Sequence, residues 1–107
     1  MHTSAQSFGS MGLSDTMLQA IAQKGFVMPS SIQSAAIPLL IGSNRDLIGQ
    51  ARTGTGKTAA FGIPLLEIIT HRNRYPQALI LVPTRALAIQ TAGELNSLQE
   101  RRDLSIE

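Results

Sequence analysis

The densest run of chemistry-bearing residues is Ala51-Arg52-Thr53-Gly54-Thr55-Gly56-Lys57-Thr58. Glycines at 54 and 56 let backbone N–H groups close around an oxyanion with no Cβ in the way, and a helix starting directly behind them adds the positive end of its dipole. In such a loop Lys57 reaches the outer phosphates of a nucleoside triphosphate. Thr58 offers its hydroxyl to a magnesium ion, which takes most of its other ligands from water and phosphate. The common form of this motif begins with glycine, and here Ala51 stands first. The loop requires a strand before it and a helix after it. Residues 46–50, Asp-Leu-Ile-Gly-Gln, read as a short buried strand, and residues 58–70 read as a helix bent near Pro64.

A second place where backbone and side chain can grip a phosphate is Pro83-Thr84-Arg85, where a strand ends and a helix begins. The strand is Ala78-Leu79-Ile80-Leu81-Val82, an unbroken apolar run that reads as covered on both faces, as in parallel sheets. The helix runs from Arg85 to about Gln99, and residues 104–107 begin a further strand. A polar loop at 71–77 separates the two halves. The order strand, helix, strand, helix, strand predicts an α/β fold built on a parallel sheet.

Ahead of the phosphate loop the pattern is helical. Ser14 suits an N-cap, Leu13 and Leu18 suit a staple, and Met17, Leu18 and Ile21 share a face until Gly25, which predicts a helix over 14–24. A second helix opens after Pro29, with Ile32, Ala35, Ala36, Leu39 and Leu40 as its apolar residues, and Pro38 is expected to kink or split it. A turn at 42–44 follows. Residues 1–12 are Ser/Gly-rich and read as a flexible segment, with Phe8 the one large apolar side chain expected to dock on the body. Residues 13–107 form the domain proper.

Composition removes several classes of function. There is no cysteine among the 107 residues, so disulfides, thiol catalysis and Cys-type zinc sites are excluded. His2 and His71, the 2 histidines, are too few and too far apart for a metal cage. No apolar run is long enough for a membrane span and the start lacks the features of a signal peptide, so a cytoplasmic protein with no membrane partner is expected. The 9 basic and 7 acidic residues give a net charge of +2 spread over both halves, which does not by itself indicate nucleic acid. The charged fraction of 15% is low for a soluble domain and suggests surface made to pack against something.

Gly25-Phe26, Pro29-Ser30 and Ile32-Gln33, then residues 51–58, then Pro83-Thr84-Arg85-Ala86-Leu87-Ala88-Ile89-Gln90 resemble, in order, the Q motif, motif I and motif Ia of DEAD-box RNA helicases. The resemblance covers the chain from Phe8 to Gln90. It implies a partial RecA-like parallel sheet with flanking helices, that is, the N-terminal part of the first helicase domain, an incomplete phosphate-loop NTPase domain. It also implies ATP and Mg2+ as cofactors and RNA as a partner held by its backbone without sequence choice. The expected nucleotide-binding residues are Phe8, Phe26, Gln33, Ala51, Arg52, Thr53, Gly54, Thr55, Gly56, Lys57 and Thr58, with Lys57 as the catalytic group and Thr58 at the metal. The expected RNA contacts are Pro83, Thr84 and Arg85.

Two of these residues carry an alternative. Gln33 occupies the position that hydrogen-bonds adenine in the family, and a carboxamide has the donor and acceptor for that task. Ser30 and Gln33 also satisfy an S-x-x-Q capping box. Phe8 lies where the family carries an isolated aromatic beside the base, and simple core anchoring is the other reading. The sequence departs from the family pattern at Ser31 for proline, Arg52 for Gln or Ser, and Ala86 for glutamate.

Hydrolysis in this family also needs an Asp-Glu-Ala-Asp segment and arginines from a second domain, and no Asp-Glu pair occurs in the sequence. The 107-residue chain alone is therefore expected to be inactive, as the fragment of an ATP-dependent RNA helicase. A short non-catalytic protein that binds adenine nucleotide or RNA is the alternative. Open sheet edges also make self-association an expectation.

Overall fold

The computed structural model describes residues 7–42, 46–52, 56–69, 76–99 and 104–106. Its regular elements are a 3-10 turn at Phe8–Ser10 and four α-helices: α1, Asp15–Gln23; α2, Ser31–Gly42; α3, Lys57–Ile68; and α4, Arg85–Gln99.

Both ends of α1 are written in its flanking residues. Ser14 holds an extended backbone and its hydroxyl accepts the Met17 N–H at 3.2 Å, filling one of the orphan donors of the first turn. At the other end Gly25 turns left-handed at φ 84°, its N–H returns to Ala22 O, and the Phe26 N–H returns to Ile21 O. That pair of bonds is a Schellman cap, and Phe26 closes it by packing back on the hydrophobic cluster. The start of α1 is also tied across the fold. Both carboxylate oxygens of Glu67, on α3, accept from Ser14, one from its N–H at 2.6 Å and one from its hydroxyl at 3.0 Å.

The core gathers Met17 and Ile21 of α1, Ile37 of α2, Ala59, Ile63 and Leu66 of α3, and Leu95 and Leu98 of α4, sealed on one side by Phe8 and Met11. Each large side chain moved from water into such a cluster contributes about 1.5–3 kcal/mol. α2 packs chiefly on α3, and α4 rests against both α3 and α1. Where α3 meets α4 the surfaces approach so closely that a Cβ on Gly62 would overlap the Leu95 side chain. At its far end α4 holds the next segment by a side chain that imitates a strand. The Gln99 carboxamide accepts the Leu104 N–H at 3.0 Å and donates to Leu104 O at 3.0 Å, which brings Leu104 and Ile106 against the core.

The strands are where expectation and structure part. Among the described residues none belongs to a β-ladder. Residues 46–50 are all exposed, Ile48 at 99%, so this is not a buried strand. In 78–82 the exposure alternates: Leu79 and Leu81 are 82% and 84% exposed, whereas Ile80 packs on the core. The two-residue period of a strand is present, but the helices cover only one face. A strand depends on hydrogen-bonded neighbours and on burial, and neither segment has a ladder partner within the described residues. Residues 104–106 likewise pair with a glutamine side chain instead of a strand.

Of the kink or split expected at Pro38, the split does not occur. α2 continues through Pro38 without splitting, and α3 runs through Pro64. Each proline removes one i to i−4 bond, a cost of about 3 kcal/mol, and burial of neighbours such as Ile37 and Ile63, both 0% exposed, outweighs it. Gly42 ends α2, so the turn placed at 42–44 starts later, and residues 43–45 lie outside those described, as do most of the 71–77 loop. The hydrophobic residues at 8 and 11 belong to the core even though they fall within the segment read as flexible.

The division between covered and uncovered apolar residues is testable by thermal unfolding. Ile63→Ala should destabilise the chain by about 2–5 kcal/mol through the cavity it leaves. Ile48→Ala should change stability by less than about 0.5 kcal/mol. A comparable loss from both would show that residues 46–50 are buried after all.

Candidate functional site

α3 begins on glycine. Gly56 is its N-cap, in the left-handed conformation at φ 79°, and as a glycine it has no side chain with which to cap the helix. The first-turn N–H groups therefore face outward at the positive end of the helix dipole, the arrangement that accepts an anion. The Lys57 side chain is exposed and Thr58 half-buried, at adjacent positions of this first turn. Residues 53–55 of the predicted loop lie outside the described set, so the cradle itself is represented by Ala51, half-buried, Arg52, exposed, and Gly56.

A long-range contact joins this helix start to the start of α2. Gln33 is only 4% exposed, and its Nε2 donates to the Gly56 carbonyl at 3.2 Å. Its Oε1 accepts the Ser30 N–H at 3.0 Å, while the Ser30 hydroxyl accepts the Gln33 N–H at 3.4 Å. The capping box read from Ser30 and Gln33 is thus formed, and the same carboxamide reaches a residue 23 positions away. The Gly56 carbonyl also accepts the Ala60 N–H at 3.1 Å, so it is held from the helix side and from the Gln33 side. A Cβ at position 56 would overlap Gln33 Nε2, so glycine is required there for room as well as for its φ.

The two phenylalanines of the expected set both touch the hydrophobic cluster. Phe8 is 5% exposed within the core, and Phe26 belongs to the α1 cap with the Lys24 ammonium 5.7 Å from its ring centre. Core anchoring, the second reading of Phe8, describes its surroundings. Phe26 has a local structural task that its place next to Gly25 announces.

Thr84 caps α4: its hydroxyl accepts the Leu87 N–H at 3.2 Å, and its carbonyl accepts the Ala88 N–H at 3.1 Å. Arg85 follows as the first helical residue, exposed, as is every residue from Pro83 to Gln90. The Thr84 hydroxyl accepts in the cap and keeps its O–H to donate, so the groups at this end that can face a phosphate are that O–H, the Arg85 guanidinium and the N–H groups of Arg85 and Ala86. A groove of about 420 Å³ runs between the two helix starts, lined by Lys57, Thr58 and Phe61 on one side and Leu81, Leu87 and Thr91 on the other. The structure thus brings Ser30, Gln33 and Gly56 into one cluster, sets Lys57 and Thr58 on its edge, and places Arg85 at the separate start of α4.

No group of three His, Asp or Glu residues that can hold a metal occurs among the described residues. A magnesium ion held through phosphate and water needs no such group, and the single Thr58 hydroxyl beside an anion-accepting helix start is compatible with that mode. None of the described helices is long and apolar enough to cross a membrane.

Sequence reasoning found Gln33 and Gly56 separately and missed the bond between them. The available signal was the pairing of a glycine N-cap with a buried carboxamide that has hydrogen-bonding capacity beyond its own cap.

Comparison with known proteins gives these positions a family. The DEAD/DEAH box helicase family model matches residues 30–107. A probable ATP-dependent RNA helicase of Methanocaldococcus jannaschii is 45% identical over 106 residues, covering 99% of this chain and 29% of the relative. The DEAD-box ATP-dependent RNA helicase CshA of Geobacillus kaustophilus is 51% identical over 89 residues, 83% of this chain and 19% of the relative. The chain thus spans less than a third of these relatives. Among solved structures, the crystal structure of a DEAD box protein from Methanococcus jannaschii superposes with a TM-score of 0.86 at 47% identity, over 92% of this chain and 27% of the other. Saccharomyces cerevisiae Dbp5 bound to RNA and ADP BeF3 gives 0.87 at 37% identity, over 94% and 26%. On the motif order, the family match and these likenesses, the chain belongs to the DEAD/DEAH box helicase family.

Proposed function

We propose that the chain is the ATP-binding, RNA-contacting N-terminal part of an ATP-dependent RNA helicase. The observation that supports this reading is the contact between the Gln33 carboxamide and the Gly56 carbonyl, which joins two residues of the expected nucleotide-binding set. Residues 51–58 with the α3 N-terminus receive the triphosphate, Lys57 neutralises its outer phosphates, and the Thr58 hydroxyl faces Mg2+. Mg2+ supplies charge neutralisation when bound with the nucleotide. Gln33 reads adenine with the donor and acceptor that its two intramolecular bonds leave over. A carboxamide has two of each. Arg85 and the α4 start hold an RNA phosphate, a contact that positions a strand without reading its bases.

In a longer helicase chain the segments at 46–50, 78–82 and 104–106 become strands of a RecA-like parallel sheet, which accounts for the outward Leu79 and Leu81 and for the low charge. Phosphoryl transfer depends on positioning the attacking water and on stabilising transition-state charge, tasks for which Lys57 alone is insufficient. The 107-residue chain therefore binds nucleotide without turning it over.

Titration calorimetry with the purified chain tests the nucleotide part. Mg-ATP should bind more tightly than Mg-GTP, Lys57→Ala should weaken Mg-ATP by at least about tenfold, the scale of a lost charge-assisted contact, and no phosphate should be released. Equal affinity for ATP and GTP would argue against base reading by Gln33, and steady phosphate release would contradict the inactive fragment.

Single-stranded RNA binding should be sequence-tolerant and fall steeply with salt. Arg85→Ala should weaken it evenly across sequences and reduce the slope of log affinity against log salt by close to the ~0.7 expected for one phosphate on a single strand. An unchanged affinity and slope would remove Arg85 from the contact.

A further inference from the structure

Residues 78–82 alternate as a strand does, yet among the described residues none makes a backbone hydrogen bond to them. A row of unmade backbone bonds beside apolar side chains is the template on which another strand adds. Leu79 and Leu81 stand outward at 82% and 84% exposure, while Ile80 packs on the core. There is room for a neighbour. One groove, of about 420 Å³, is lined by this segment together with Phe61 and Leu87. A second, of about 530 Å³, has Ile80 and Val82 among its lining on one side and Leu104 and Ile106 on another. A neighbouring strand needs about 4.8 Å between backbones.

The residues of the segment decide which strand fits. Ala78-Leu79-Ile80-Leu81-Val82 is close to a palindrome about Ile80. In an antiparallel pair of two copies with the twofold axis at Ile80, Leu79 of each faces Leu81 of the other, Ile80 faces Ile80, and Ala78 faces Val82. Every facing pair is apolar, and such cross-strand pairs are what stabilises a sheet. No charged residue lies from Pro76 to Pro83, so like charges nowhere oppose each other when two copies meet. The two prolines lack an N–H and cannot extend the ladder, which confines it to the same stretch in both copies. An uncharged strand that matches itself in this way suits a second copy better than a charged partner.

We propose that residues 78–82 form a self-recognition edge, on which a second copy of this chain docks antiparallel about Ile80 to give a closed, symmetric dimer. The outward leucines of both copies then lie in facing pairs. The contact is small, so the dimer forms and dissociates with concentration. No nucleotide or RNA takes part in it.

Sedimentation velocity of the ligand-free 107-residue chain over rising concentration should show monomer converting to dimer and no larger species. Monomer alone up to about 1 mM would overturn self-docking and leave the edge to a strand of another protein. Species that grow without limit would overturn the closed dimer. Charge variants test the register, and because both leucines are exposed these should retain the helical circular dichroism. Leu79→Lys with Leu81→Lys opposes like charges in the facing pairs. Leu79→Lys with Leu81→Glu opposes unlike charges there and should dimerise at least about fivefold more tightly than the double lysine variant. Equal behaviour of the two would refute antiparallel docking about Ile80. A cross-linking measurement is independent of charge, since the chain has no cysteine and Leu79→Cys and Leu81→Cys each introduce a single thiol. Under oxidised glutathione the mixture of these two variants should form disulfide-linked dimers faster than either variant alone. Equal rates for the mixture and the separate variants would contradict the register.

Discussion

A helix that starts on a left-handed glycine has no side chain with which to cap itself, and α3 starts on Gly56. The conformation is what an anion site needs, since it leaves first-turn N–H groups facing outward, and it is also the least self-supporting way to begin a helix. The rest of the fold answers this constraint. α2 lies along α3 and brings Gln33 to the Gly56 carbonyl, and the buried Ile37 and Ile63 fix the register of the two helices. Glu67, the penultimate residue of α3, ties that end to the start of α1 through Ser14. Both ends of α3 are thus held by polar contacts from other elements, while its middle is held by the core.

This arrangement separates the residues that build the site from those that use it. Gly25 and Phe26 close a helix, Phe26 packs on the core, Ser30 caps α2, and Thr84 caps α4 through its hydroxyl oxygen. Lys57, Thr58 and Arg85 remain toward solvent or the groove, uncommitted to capping. Residues of a single segment therefore do different work: within 25–33 Gly25, Phe26 and Ser30 hold the backbone, and in the proposed reading the Gln33 side chain faces both the loop and the base.

How much of this was legible in the sequence depends on how local the cause is. The helices at 15–23 and 85–99 follow from short-range signals, a serine cap and a glycine stop for the first, and a proline break ahead of the second. The apolar run at 78–82 did not reveal how many of its faces are covered, because that depends on neighbours far along a chain. An unbroken hydrophobic stretch gives the same pattern whether one or both faces are buried, and here Leu79 and Leu81 point outward. A split at Pro38 was one expectation because local propensity was weighed without the burial that overrides it. The residues of the proposed phosphate loop and Gln33 stood out by residue type and spacing. The bond from Gln33 to Gly56 was not, since it exists only once α2 and α3 have packed.

The central claim is that the start of α3, the loop before it and Gln33 form one nucleotide site. Backbone and side-chain amide shifts followed by NMR during a Mg-ATP titration test it most directly. The account predicts saturable shifts concentrated at residues 51–58 and at Ser30 and Gln33, with the Leu104–Ile106 end unmoved. Saturable shifts that bypass Gln33 and Gly56, or no saturable shifts at all, would contradict it.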